Sequence, residues 1–280
     1  MDMLVSTEWL AKESGAADLK LLDASYHALD PSRDPAAEYE AGHITGALYL
    51  DLPNLKDAAN PVPAMLPSAA RFTARMEALG VNNGDRILLY DDSPHRTSAR
   101  AWWMFTAFGA REVAILDGGL AKWKAEGRPL ATGLMPPQPR GDFTAHLNEA
   151  AVRTLAAMKA NVASGMEEVL DARSAARFAG EEPDPRGMPV GHIPGSRSLP
   201  YTRLLNPDGT FKSPHALRAA FTGAGIDWGR PLVTTCGSGV TAAVLLFAAR
   251  LIGKGDVALY DGSWSEWGAD PATPKATGAA

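Results

Sequence analysis

A chain of 280 residues, 46% apolar and 21% charged, has material for one large globular domain or two ordinary ones. Its net charge of −5 and the lack of any Lys/Arg-rich block exclude an obvious nucleic-acid footprint. Its longest apolar stretch, Val240 to Ile252, is too short for a bilayer and carries Arg250, so no membrane association is expected.

In chain order, the N-terminus Met1-Asp2-Met3-Leu4-Val5 shows neither a basic segment nor an apolar leader. With a single cysteine there is no intrachain disulfide, which suits a reducing, cytoplasmic setting. Leu19-Lys20-Leu21-Leu22-Asp23, Ile87-Leu88-Leu89-Tyr90 and Val113-Ala114-Ile115-Leu116 read as strands. Between them, helical spacing covers 68–79 and 98–108, each stopped by a glycine, Gly80 or Gly109. Strands alternating with helices predict an α/β fold, with a mainly parallel sheet covered by helices on both faces. Sites in such sheets form at the carboxyl ends of the strands.

The pattern then repeats. Ile87-Leu88-Leu89-Tyr90-Asp91-Asp92-Ser93 aligns with Pro231-Leu232-Val233-Thr234-Thr235-Cys236-Gly237. Continued without a gap, Thr97 meets Thr241, Asp117-Gly118 meets Asp261-Gly262, and Trp123 meets Trp267. Leu22-Asp23-Ala24 likewise matches Leu170-Asp171-Ala172, and Gly42-His43-Ile44 matches Gly191-His192-Ile193. Two copies of this length predict two tandem domains, 1–134 and 151–280. The Pro-rich segment 135–150 between them reads as a linker, and the tail from Pro271 to Ala280 as a frayed end. The shared tryptophans read as core, and six histidines with one cysteine show no metal-ligand spacing.

The lone cysteine follows an apolar β-branched run and precedes Gly237-Ser238-Gly239-Val240-Thr241 and an apolar helix through Leu251. A strand–Cys–tight loop–helix unit directs backbone N–H groups and the positive end of a helix at one point. A thiol there is expected to ionise more readily than a free one, which titrates near about 8.5. The competing reading is an inert core cysteine. The first repeat has Asp92 in place of Cys236 and lacks the loop glycines, so one active site is expected, in the second domain.

With these residues in view, the chain resembles the tandem-domain rhodanese sulfurtransferases over nearly its whole length. The neutral Gly237-Ser238 resembles the mercaptopyruvate-using branch; thiosulfate-using relatives typically carry basic residues there, suited to a dianion. The resemblance implies a persulfide on Cys236, no cofactor and no metal. It implies 3-mercaptopyruvate as a small-molecule sulfur donor, and thioredoxin, a small thiol or cyanide as acceptor. It assigns the substrate carboxylate to Arg177 and Arg186, the anion cradle to Gly237, Gly239, Val240 and Thr241 with their neighbours, and a proton relay to Ser238, His43 and Asp34. The relay has a bland competitor, because Gly-His-Ile occurs in both repeats and only one has the cysteine. Arg173, at a strand end, reads as a fold-ordering residue. Three alternatives remain. A thiosulfate sulfurtransferase shares the chemistry, and a non-enzymatic binding module is conceivable. A Cys-x5-Arg phosphatase is disfavoured by Ala242 at the arginine position.

Overall fold

The computed structural model describes residues 1–279. The chain divides into two compact units, the first from Met1–Ala58, Leu66–Asn148 and Pro207–Thr210, the second from Ala59–Met65, Glu149–Asn206 and the chain from Phe211 onward. Unit one contains β1 Leu4–Val5, α1 Thr7–Glu13, β2 Leu19–Asp23, α2 Pro35–Ala41, β3 His43–Ile44 and β4 Leu48–Tyr49. It continues with α3 Ala69–Ala78, β5 Arg86–Tyr90, α4 Thr97–Ala107, β6 Glu112–Leu116, α5 Gly119–Ala125 and β7 Leu130–Ala131. Unit two contains β8 Val152–Arg153, α6 Leu155–Ser164, β9 Glu168–Asp171, α7 Ala175–Ala179 and β10 Arg197–Ser198. It is completed by α8 Pro214–Gly223, β11 Leu232–Thr235, α9 Ala242–Leu251, β12 Val257–Tyr260 and α10 Ser263–Trp267.

Each unit holds one five-stranded parallel sheet, in the order β1-β6-β5-β2-β4 in unit one and β8-β12-β11-β9-β10 in unit two. Equivalent strands hold equivalent places, so the sequence repeat is a structural one. Parallel neighbours need long crossovers, which the helices supply. Leu22 pairs with Leu89, and Thr234 with Leu170, in the central strands of the two sheets. A small antiparallel pairing, His43 with Ala131, recurs in unit two as a bridge between His192 and Ala276.

The helices start where short polar side chains can take an orphan N–H. Ser68, Thr154, Ser174 and Ser213 each accept one from the first turn of α3, α6, α7 and α8. α9 is apolar on all sides, Ala242 through Ala249 being buried, and is therefore a core helix beside β11 and β12. Leu88, Tyr90, Leu116 and Trp123 centre one core, and Val233, Tyr260, Trp264 and Trp267 the other. None of the helices is long and apolar enough to cross a membrane among the described residues.

Two sequence expectations change. The segment 135–148 is irregular, as its prolines dictate, yet it belongs to unit one instead of standing as a separate linker. Phe143 is buried, its ring 5.9 Å from Phe72 and 6.3 Å from Phe105, and its N–H donates to the Val81 carbonyl at 3.1 Å. The tail is not frayed over 271–279: Trp267 Nε1 donates to the Pro274 carbonyl at 2.8 Å, and Thr273 is buried. Ala280 lies outside the described residues. Phe143→Ala should therefore cost about 3–5 kcal/mol in urea unfolding, the range for a buried aromatic, whereas a true linker position would cost almost nothing.

Candidate active site

Cys236 is a free thiol at the carboxyl end of β11, 2% exposed. The loop after it is anchored through its carbonyls. The Cys236 carbonyl accepts the Trp264 N–H at 3.0 Å, and the Gly237 carbonyl accepts both the N–H and the hydroxyl of Ser265, at 2.9 and 2.7 Å. A trans peptide points its C=O and the next N–H in opposite directions. Fixing those two carbonyls on α10 therefore turns the amides of Gly237 and Ser238 the other way. Gly239 supplies the left-handed turn, at φ +75°, that brings the chain back to α9. The amides of Gly237 and Ser238 are thus turned away from α10, whereas the amide before them is held elsewhere. The Cys236 N–H is engaged, donating to Ser263 Oγ at 3.2 Å, so the cradle is drawn from residues 237–241.

Ser263 escaped the sequence reading. It is fully buried, donates to the Tyr260 carbonyl at 2.8 Å and holds φ +49°, unusual for a residue with a Cβ. A signal existed: Asp117-Gly118-Gly119 aligns with Asp261-Gly262-Ser263, so a serine stands where the other repeat has a glycine at φ +58°.

Arg177 and Arg186 reach the loop from the other side. Ser174 caps α7 by accepting the Arg177 N–H, and Gly180 at φ +83° ends that short helix. A methyl group placed on Gly237 would lie 2.6 Å from Arg186 Nη1 and 3.5 Å from Arg177 Nη2. Both guanidinium groups therefore sit directly against the loop. Asp184, also missed in the sequence, holds them: it is 7% exposed, binds Arg177 Nη2 at 2.5 Å and accepts the Arg186 N–H at 2.9 Å. Arg186 Nη2 donates to Ser238 Oγ at 3.1 Å. Arg177 Nε and Arg186 Nη1 are buried without a hydrogen-bond partner among the described residues. Two cations against one carboxylate, with donors left over, make a site for an anion's oxygens.

Arg173 has a different place. It binds Asp171 through Nε and Nη2, donates to the Gly191 carbonyl at 2.8 Å and lies 4.7 Å from the Trp264 ring, all in the interior. His43 is buried in unit one, its Nδ1 2.8 Å from the Tyr39 carbonyl and its ring stacked on Tyr39 at 4.0 Å. His192 repeats this against Phe178, at 2.8 and 3.7 Å. The two histidines share this packing, and His43 Nε2 has no hydrogen-bond partner among the described residues. Asp34 is the N-cap of α2, its Oδ1 accepting the N–H groups of Ala36 and Ala37 at 3.0 and 3.2 Å. In unit one the position of Cys236 is held by Asp92, 3.4 Å from Lys124 Nζ. The loop amides of Ser93 and Ser98 are taken by the buried Asp91 carboxylate, whose pKa burial pushes up. The Ser93 amide, counterpart of that of Gly237, is therefore already occupied in the first repeat.

A parallel α/β unit with a strand-end cysteine in an amide cradle, present twice but armed once, defines a rhodanese-type protein. Consistent with that, the Rhodanese-like domain model matches residues 6–126 and 154–270, and the chain belongs to that family. It is 41% identical to the 3-mercaptopyruvate sulfurtransferase of Homo sapiens over 94% of this chain and 91% of that one. It is 39% identical, with the same coverage, to the thiosulfate sulfurtransferase of Cricetulus griseus. Among solved structures, SseA of Escherichia coli, a 3-mercaptopyruvate sulfotransferase, superimposes with TM-score 0.87 at 36% identity, covering 94% of this chain and 99% of that one. The different places of Arg173 and Arg177 predict different costs. Arg173→Ala leaves Asp171 charged in the interior and should lose roughly 3–5 kcal/mol in urea titration, while Arg177→Ala, whose Asp184 keeps Arg186 beside it, should lose clearly less.

Proposed function

We propose that unit two transfers sulfur from 3-mercaptopyruvate through a persulfide on Cys236. The observation that carries this reading is the pair of guanidinium groups against Gly237, with unpartnered N–H donors beside a neutral loop. A dianion such as thiosulfate gains from cations within the loop itself. A substrate with its charge on a carboxylate, away from the reacting sulfur, gains from cations set to one side. Relatives of both kinds are almost equally similar, at 41% and 39% identity, so overall similarity does not choose the donor; the loop does.

In this mechanism the substrate carboxylate lies on Arg177 and Arg186, and the Cys236 thiolate attacks the substrate sulfur. The S–S bond forms, the C–S bond breaks, and its electron pair passes to the departing enolate. The proton of the substrate thiol ends on that carbon, giving pyruvate, while Cys236 retains the persulfide. In this reading Ser238, whose Oγ accepts from Arg186, donates to the departing carbonyl oxygen, and the amides of 237–241 stabilise the sulfur anion in both states. The chain has no second cysteine to resolve the persulfide, so an external thiol, thioredoxin or a small molecule, takes the outer sulfur. A reducing, cytoplasmic environment suits that acceptor. His43 and Asp34 are assigned here to the scaffold of unit one and not to a relay.

Mass spectrometry after incubation with 3-mercaptopyruvate should show a one-sulfur gain on Cys236, absent in Cys236→Ser; a higher kcat/KM for thiosulfate would overturn the donor. Arg177→Ala should raise KM for 3-mercaptopyruvate about tenfold or more, the worth of a charge-assisted contact, while leaving cyanide discharge of a preformed persulfide within about twofold. His43→Asn, which keeps a donor toward the Tyr39 carbonyl, should retain kcat within about threefold; a loss of about a hundredfold or more is the mark of an acid–base relay.

A further inference from the structure

The two repeats differ at one interior place that the proposed reaction does not use. In unit two, the last residue of β9, Asp171, is neutralised by the Arg173 guanidinium, which also reaches the Gly191 carbonyl and lies over Trp264. The corresponding backbone in unit one is the same. The Leu50 N–H donates to the Asp23 carbonyl at 2.9 Å, as the Leu199 N–H does to that of Asp171 at 3.0 Å. The Ser25 N–H donates to Asp23 Oδ1 at 2.9 Å, as the Arg173 N–H does to Asp171 Oδ1 at 2.9 Å. The arginine is missing, however: Ser25 stands at its position, Leu120 at that of Trp264, and Gly42 at that of Gly191.

These substitutions leave space. A pocket of about 290 Å³ in unit one is lined by Asp23, Ser25, Gly42 and Leu120, with Arg33, Glu38, Asp92 and Lys124 among the remaining wall residues. Of these, Asp23, Gly42 and Leu120 are the counterparts of the residues that surround the guanidinium in unit two, and Ser25 is the counterpart of Arg173 itself. The two cations in the wall have carboxylates of their own. Arg33 binds Glu38 through Nε and Nη2, both at 2.7 Å, and Lys124 binds Asp92 at 3.4 Å. Asp23, 1% exposed, meets neutral donors among the described residues, the Ser25 N–H, the Ser25 hydroxyl and the Tyr90 hydroxyl. Burial accordingly pushes its pKa up to about 6. A buried carboxylate without a cation is a costly arrangement that a bound cation relieves.

We propose that this pocket of unit one binds a guanidinium-type cation, an arginine side chain or a small alkylguanidine, in the place that Arg173 fills from within unit two. The planar fork pairs with the Asp23 carboxylate, and its flat face lies against Leu120. Lys- or ammonium-type ligands fit less well, because they lack the second parallel N–H that the bidentate contact uses.

The test uses the full-length protein and methylguanidinium chloride as the probe, followed by calorimetric titration. Saturable binding is expected with Kd of about 1 mM, the strength of a single fragment-sized contact. Urea, the neutral isostere, and methylammonium should each bind at least tenfold more weakly. Asp23→Asn preserves the acceptor for the Ser25 N–H and should weaken binding at least tenfold. Ser25→Arg supplies the guanidinium from the chain itself and should abolish binding. An arginine-capped peptide should compete with methylguanidinium if the pocket takes a side chain. No saturable binding to the wild-type protein, undiminished binding to Asp23→Asn, or equal binding of urea would each overturn the proposal.

Discussion

The active loop depends on where two carbonyl groups point. Those of Cys236 and Gly237 are tied to the N–H groups of Trp264 and Ser265 at the start of α10. Peptide planarity then leaves the following amides no choice but to face away from that helix. This is why the loop is shaped by an element 28 residues further along the chain and not by its own residues alone. It is also why Ser263 matters. By accepting the Cys236 N–H and donating to the Tyr260 carbonyl, it ties the start of the loop to the turn before α10.

The electrostatics follow the same logic of fixing one partner to orient another. Asp184 is buried between Arg177 and Arg186, and without it the two cations would repel each other at close range. Held by a shared carboxylate, they keep a surplus positive charge and surplus N–H donors beside Gly237. The absence of a side chain at Gly237 lets them approach; any Cβ there would meet Arg186 Nη1 at 2.6 Å.

Much of this was legible in the residues. The sheet strands with strong apolar runs, the repeat and the single cysteine left local patterns, whereas the two arginines were singled out only by the family resemblance. The short strands did not, because β1, β3, β4, β7, β8 and β10 have only two residues each and exist through pairing with distant partners. The segment 135–148 carried the composition of a linker, but Phe143 shows that proline-rich chain without regular structure can still deliver an anchor to a core. The tail was misread for the same reason, since its hold on Trp267 and His192 runs largely through backbone atoms, with the Thr273 hydroxyl, that composition does not reveal. His43 was ambiguous in the sequence because Gly-His-Ile occurs in both repeats, and both histidines are stacked in the same way. Asp184 had no signal of its own among the acidic residues at 181–184.

Ser263 has a further consequence, for anyone who sets out to make this protein sturdier. Its left-handed backbone stores strain on the order of 1 kcal/mol relative to glycine. The other repeat shows that glycine is accommodated at this corner. A stabilisation effort guided by backbone geometry would therefore choose this position early, and would release the Cys236 amide from its hydroxyl partner. Durability and loop order are in opposition at this residue, so it marks where hardening the fold loosens the site.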